Sequence, residues 1–224
     1  MPTSILAEER LAFDPPLPDK LAAAHGLPLG LADKLFFAFE DGDDIPGRYL
    51  IGSTRRRETM SYQVRPFGRP RIQCFFGGRF AAALEEEGIA AMAAFATDEL
   101  AGLLGSGVRT KLRPLAASFW RRDEWARGSY SYAVPGHADD RAVLAAPVDN
   151  RIFFAGEACS LNFFSTAHGA YETGLAAAEA ALESLRPNTP SIMQAGAEVA
   201  GGTAIEADRL GRGRGSPPAR GAVC

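Results

Sequence analysis

Residues 151–182 read RIFFAGEACSLNFFSTAHGAYETGLAAAEAAL, and their reading decides the fold. Residues 151–154 form a short apolar β run that Ala155, Gly156 and Glu157 close. A loop follows over residues 158–165. Ser165 or Thr166 then caps an alanine-rich helix that runs to about Leu185. The helix start carries Gly169 and Ala170, small residues that let another group approach the backbone. Its first N–H groups have no helical partner and lie at the positive end of the macrodipole. They suit an anion, or an oxygen that gains negative charge. Glu157 ends the β run, where a carboxylate can accept hydrogen bonds from ligand hydroxyls. Spacing alone leaves two readings open, an ordinary strand–helix unit and one that carries a cofactor.

Upstream, residues 120–132 read WRRDEWARGSYSY, dense in aromatic residues. Alone, this is either a Trp/Tyr core cluster or the wall of a cavity. Further upstream, residues 32–40 (ADKLFFAFE) are a strong strand candidate with Lys34 near its start. A lysine there is either a snorkelling surface charge or a group held at a site.

Together these stretches resemble the flavin-dependent amine oxidases, a family that includes monoamine and polyamine oxidases, L-amino-acid oxidases and lysine-specific histone demethylases. Phe154, Ala155, Gly156, Glu157, Thr166, His168, Gly169, Ala170 and Gly174 fall at the spacing of the family's C-terminal FAD-contacting segment. Residues 120–132 resemble the family pattern W-x-x-D-P-W-x-R-G-S-Y-S-Y, with Glu124 in the proline place. Lys34 matches the lysine of G-x-x-x-K before an aromatic strand. The resemblance covers residues 2–185.

The resemblance implies FAD as cofactor. Gly156, Glu157, Thr166, Ala167, His168 and Ser129 would contact it, Glu157 at the ribityl chain and the Thr166–Ala167 backbone at the pyrimidine end. Lys34, Trp125 and Tyr130 would be the catalytic residues. The lysine would hold a water at flavin N5 and assist reoxidation, and the aromatic residues, with Arg127 and Gly128, would line flavin and substrate. Ser129 stands where monoamine oxidases carry a flavin-linking cysteine, so the FAD is expected to be non-covalent. The implied reaction is hydride transfer from the carbon beside a neutral amine to the flavin. Imine formation and release of hydrogen peroxide follow, so the partners are a small-molecule amine and O2.

The expected fold is mixed α+β and α/β. An antiparallel substrate-domain sheet with helices is joined by the C-terminal strand–helix piece of an FAD-binding domain. Residues 1–30 are the end of an FAD-domain segment and a connector, with Ile5 and Leu6 ending a strand and Asp14-Pro15-Pro16 turning. Residues 31–120 are the substrate-binding domain. Its further strands are expected at residues 49–52, 62–65, 72–76 and 108–120, the last bent or at an edge because of Pro114. Residues 79–104 have helical spacing broken at Gly88. Residues 121–185 are the flavin-contacting segment, with a short helix at 142–147, and residues 186–224 a disordered tail. The G-x-G-x-x-G fingerprint does not occur in the sequence. The N-terminal Rossmann half is therefore expected to be absent, and a separate chain carrying it would complete a flavin site.

The 224 residues suffice for one large or two small domains. With 46% hydrophobic and 23% charged residues and a net charge of −3, no basic field points to nucleic acid or an anionic membrane. Three scattered cysteines and three histidines give no metal-ligand spacing. No apolar run reaches membrane length and no secretory leader is visible, so a cytoplasmic location is expected. A second reading is a non-catalytic remnant or interaction subunit that keeps the fold and binds no flavin.

Overall fold

The computed structural model describes residues 1–40 and 44–186; the expected tail after Arg186, with its Arg-Gly run, lies outside the described residues. Five antiparallel strands form one sheet: β1 (Ala32–Ala38), β2 (Arg48–Ile51), β3 (Ser61–Val64), β4 (Arg71–Gly77) and β5 (Arg113–Ala117), in the order β2-β3-β4-β1-β5. Alternation sets its two faces. Leu35 pairs with Cys74 and Phe37 with Ile72, and Tyr62 and Val64 continue that row on β3. These side chains are fully or almost fully buried against Ala81 and Leu84 of α3 (Gly78–Glu87) and Met92, Ala96 and Leu100 of α4 (Ile89–Leu104). The opposite face carries Lys34, Phe75, Ser61, Gln63, Tyr49 and Ile51. Tyr49 and Ile51 on that face are exposed. Gly88, at φ +91°, breaks α3 from α4 where the sequence places the break. Pro114 sits on the edge strand at a register shift, where its missing N–H leaves no gap in a ladder.

A second cluster joins α1 (Thr3–Ala7), α2 (Pro18–Gly26) and α5 (Asp140–Ala145) through Leu6, Ala24, Leu27, Leu144, Ala158 and Cys159. The Lys20 ammonium, almost fully buried, binds it together. It donates to the carbonyls of Val143 at 2.5 Å and Leu144 at 3.0 Å, and to that of Ala146. Those carbonyls end α5 and have no helical donor. Burial lowers the Lys20 pKa. The last helix among the described residues is α6 (Ala167–Ser184), capped by Thr166. Only Gly169 of α6 is buried, and Tyr171, Leu175 and Leu182 stand exposed.

Three expectations need correction. Ile5 and Leu6 lie in α1 and not at a strand end, because Leu6 turns into the second cluster. Residues 151–154 do not form a strand. They make one isolated bridge, Val148 to Ile152, since no other strand pairs with them among the described residues. The run 108–120 opens as a 3-10 turn, Ser106–Thr110, which buries Val108, and becomes a strand only at Arg113. Among the described residues no helix is long and apolar enough to cross a membrane.

Candidate functional site

The serine-rich part of residues 120–132 is extended and pairs with the turn before β1. Gly30 N–H donates to the Tyr130 carbonyl and Ser129 N–H to the Gly30 carbonyl, both at 2.8 Å. Gly128 is required at this crossing, because a Cβ there would stand 2.5 Å from the Leu29 Cβ. The Ser129 hydroxyl both accepts from the Ala32 N–H and donates to the Ala32 carbonyl, each at 2.8 Å. Ser129 therefore fastens this stretch to the first residue of β1, two residues from Lys34.

Glu157 joins the two motif-bearing stretches. Its Oε1 accepts from the Ser131 N–H at 2.8 Å. Its Oε2 accepts from the Ser131 hydroxyl and from the Ser165 N–H, both at 2.7 Å. The Ser165 hydroxyl returns a hydrogen bond to the Ser131 carbonyl at 2.6 Å. The carboxylate thus closes the loop 157–165 at both ends and pins it to the serine stretch. Three of about four acceptor positions are filled, leaving one for a ligand. Behind the network lies Arg141, only 2% exposed. It donates to the Ser131 hydroxyl at 2.9 Å and the Ala158 carbonyl at 3.1 Å, and its guanidinium lies 4.3 Å from the Phe164 ring centroid. Burial lowers its pKa, and the Glu157 charge opposes that shift.

The start of α6 is built for close approach. Thr166 Oγ1 accepts from the Gly169 N–H at 3.1 Å and donates to the Phe163 carbonyl at 2.6 Å. A Cβ at Gly169 would lie 2.0 Å from that carbonyl oxygen, so the loop can cross the helix start only over glycine. Among the described residues, the N–H groups of Ala167 and His168 have no hydrogen-bond partner. Thr173 Oγ1 accepts from the Gly156 N–H at 3.1 Å and locks α6 to the loop.

Ser129, Gly156 and Glu157 line one cavity of about 510 Å³, walled otherwise mostly by apolar side chains including Leu6, Leu29 and Phe154. Gly156, at φ +139°, leaves open space where a Cβ would stand. A largely apolar cavity of this size with a few polar groups suits a planar heteroaromatic ring. The unengaged N–H groups of Ala167 and His168, beside the Glu157–Ser165 closure, suit an oxygen that gains charge. These residues fit one end of a flavin.

The structure does not bring the other expected residues into this cavity, and Thr166, Ala167 and His168 do not line it. Lys34 faces a cleft of about 240 Å³ on the open sheet surface, with Tyr49, Gln63 and Phe75. Its backbone is clamped by Ser118, whose hydroxyl accepts from the Lys34 N–H at 2.8 Å and whose N–H donates to the Lys34 carbonyl at 2.9 Å. Trp125 is 71% exposed and Tyr130 lies at the surface. Ser131, Arg141 and Thr173 were not singled out from sequence, and Ser165 only as an alternative helix cap. Ser131 sits inside the quoted GSYSY stretch and Thr173 inside the stretch 166–174 that resembles the family, while nothing in the local sequence marks Arg141.

The family model described as flavin containing amine oxidoreductase matches residues 1–182. Polyamine oxidase 2 of Arabidopsis thaliana is 33% identical over 186 residues, covering 80% of this chain and 37% of that protein. A possible lysine-specific histone demethylase 1 of Drosophila melanogaster is 32% identical over 179 residues, covering 73% of this chain and 20% of that protein. The chain thus spans less than two fifths of the length of these relatives. Among solved structures, a putrescine oxidase with redesigned cofactor binding superposes with a TM-score of 0.63 at 20% identity. That match covers 82% of this chain and 42% of the other, and it shows a shared fold.

Proposed function

The chain belongs to the flavin containing amine oxidoreductase family, and we propose that it supplies the substrate-side sheet and the C-terminal flavin-contacting segment of an FAD-dependent amine oxidase. The observation that carries this reading is the Glu157 closure on Ser131 and Ser165. It joins the two motif-bearing stretches into one wall, next to a helix start with free N–H groups.

A bound flavin would supply the hydride acceptor for oxidation of a neutral amine. The chain's own part is to bind, orient and exclude water. Gly156 and the loop 157–165 would take the face of the ring system, and the remaining acceptor position of Glu157 a ligand hydroxyl. The N–H groups of Ala167 and His168 would meet the edge where charge grows. Held at Ala32, Ser129 would fix the aromatic stretch relative to β1 without a covalent link to the cofactor. Tyr130 and Trp125 would line the substrate side. Lys34, on the open sheet face, would hold a water and favour the negative charge that develops as oxygen is reduced. A partner chain with a dinucleotide-binding half would complete the pyrophosphate end.

The second reading is an interaction subunit that keeps the fold and binds no flavin. One experiment separates the two. The purified chain is mixed with FAD, alone and with a chain carrying a dinucleotide-binding half, and free cofactor is removed. A retained flavin spectrum, followed by peroxide release on adding amines, supports the oxidase reading. No retained flavin under either condition overturns it in favour of the subunit.

A further inference from the structure

Asp33 and Glu85 are two carboxyl groups outside the site described above, both almost completely buried. Asp33 points from β1 into the layer beneath the sheet, and Glu85 comes from α3. Each has one oxygen engaged. Asp33 Oδ1 accepts from the Ser118 hydroxyl at 2.8 Å and, more loosely, from the Trp120 N–H at 3.4 Å. Glu85 Oε1 accepts from the Arg121 N–H at 3.1 Å. The other two oxygens, Asp33 Oδ2 and Glu85 Oε2, are buried without a donor from the protein. The two carboxyls accept from the adjacent N–H groups of Trp120 and Arg121, so they stand side by side.

Two ionised carboxylates are acceptors only and would leave both of these buried oxygens without a donor; a proton on one supplies a donor that the other can accept. A metal ion is the other cation that such a pair could hold. Among the described residues, however, no group of three or more His, Cys, Asp or Glu side chains stands close enough to bind one. We propose that Asp33 and Glu85 share a single proton, and that this proton is a latch holding residues 118–121, and through Ser118 the backbone of Lys34, against β1.

The chain of contacts is direct. Asp33 orients the Ser118 hydroxyl, which accepts from the Lys34 N–H, while Glu85 takes the Arg121 N–H three residues along the same segment. Burial and, less, the Asp33 charge raise the affinity of Glu85 for a proton, while the hydrogen bond from the Arg121 N–H and then the Arg122 guanidinium oppose them. The Lys34 side chain points to the opposite face of the sheet. A group whose folded-state pKa is raised contributes stability in full below its ordinary value. That contribution is lost as pH climbs through the raised value. The latch therefore loosens on the alkaline side of the ordinary carboxylate range, leaving two like charges side by side in a low dielectric. The inference concerns folding and positioning and stands whether or not the chain binds flavin.

The test uses the full chain and three variants, Glu85→Gln, Asp33→Asn and Glu85→Ala. The glutamine imitates the protonated acid: its oxygen takes the Arg121 N–H and its amide donates to Asp33. Unfolding midpoints are followed from the ordinary carboxylate range upward, with infrared detection of a protonated carboxyl C=O stretch and amide exchange at Lys34. The wild-type chain is expected to show the carboxyl band, a midpoint that falls with pH, and Lys34 exchange that rises beyond its intrinsic pH dependence. Glu85→Gln and Asp33→Asn should lose the band and flatten both trends. Glu85→Ala should be destabilised at every pH, and glutamine should rescue it. A wild-type chain without the band, or a Glu85→Gln chain that tracks Glu85→Ala, overturns the proposal.

Discussion

Replacing Glu157 by glutamine changes no volume and tests the junction on which the site reading rests. The carboxylate accepts three hydrogen bonds, from the Ser131 N–H, the Ser131 hydroxyl and the Ser165 N–H. Glutamine brings one oxygen and one NH2. In its better orientation the oxygen takes the Oε2 place and keeps two of the bonds, while the NH2 meets the Ser131 N–H donor to donor. One part-buried N–H is then left without an acceptor, at about 2 kcal/mol. The two surviving bonds lose the charge on their acceptor, adding up to about 1 kcal/mol together. A loop weakened by about 2–3 kcal/mol opens roughly 30- to 140-fold more often. Amide exchange at Ser165 reads this directly, without cofactor, and it should accelerate by that factor while amides of β4 stay unchanged. If the Ser165 and Ser131 amides remain as protected as in the wild type, Glu157 does not hold the loop. The argument that joins the two motifs then fails with it.

Gly169→Ala should lower stability by more than about 2 kcal/mol, read as a denaturant midpoint, because the new methyl group meets the Phe163 backbone carbonyl and no rotamer relieves it. Lys34→Met should leave the unfolding midpoint within about 0.5 kcal/mol, since the side chain faces an open cleft. In a flavin-loaded assembly the same variant should slow peroxide release without weakening flavin retention, and unchanged peroxide kinetics would remove Lys34 from the reaction. Cys74 and Cys159 should resist thiol reagents until the chain is unfolded, because both are buried and burial raises their thiol pKa. Native-state labelling of either, found by peptide mapping, contradicts the packing of its cluster.

The sheet was legible because strand alternation is a local property. Residues 32–40 carry Asp33, Leu35 and Phe37 on one parity and Lys34 and Phe36 on the other, and burial follows that parity. The break at Gly88, the Thr166 cap and the edge position of Pro114 were legible for the same reason, since each is a backbone requirement of one residue. The run 151–154 misled because apolar, aromatic content marks strand propensity, whereas a strand exists only where a second one pairs with it. Leu6 misled in the opposite way: a five-residue helix is too short for periodicity to declare, and the burial of Leu6 in the second cluster decided its conformation.

The candidate site was legible as a set of residues and illegible as a set of contacts. Sequence reading assigned the Glu157 carboxylate to ligand hydroxyls. In the folded chain most of its capacity goes to Ser131 and Ser165, 26 residues upstream and 8 downstream. The Ser129 hydroxyl goes likewise to Ala32, 97 residues away. Such partners are set by topology, and no local spacing encodes them. The polar side chains of the two motifs therefore act first on the protein. They hold a loop, a strand end and a helix start in fixed relation, and that rigidity leaves the backbone N–H groups of Ala167 and His168 and the bare backbone of Gly156 as the surfaces a ligand would meet. A site built this way depends more on the shape of its backbone than on the functional groups of its side chains. Substitutions that keep the charge and move the loop should then do more harm than substitutions that remove an exposed side chain such as Trp125.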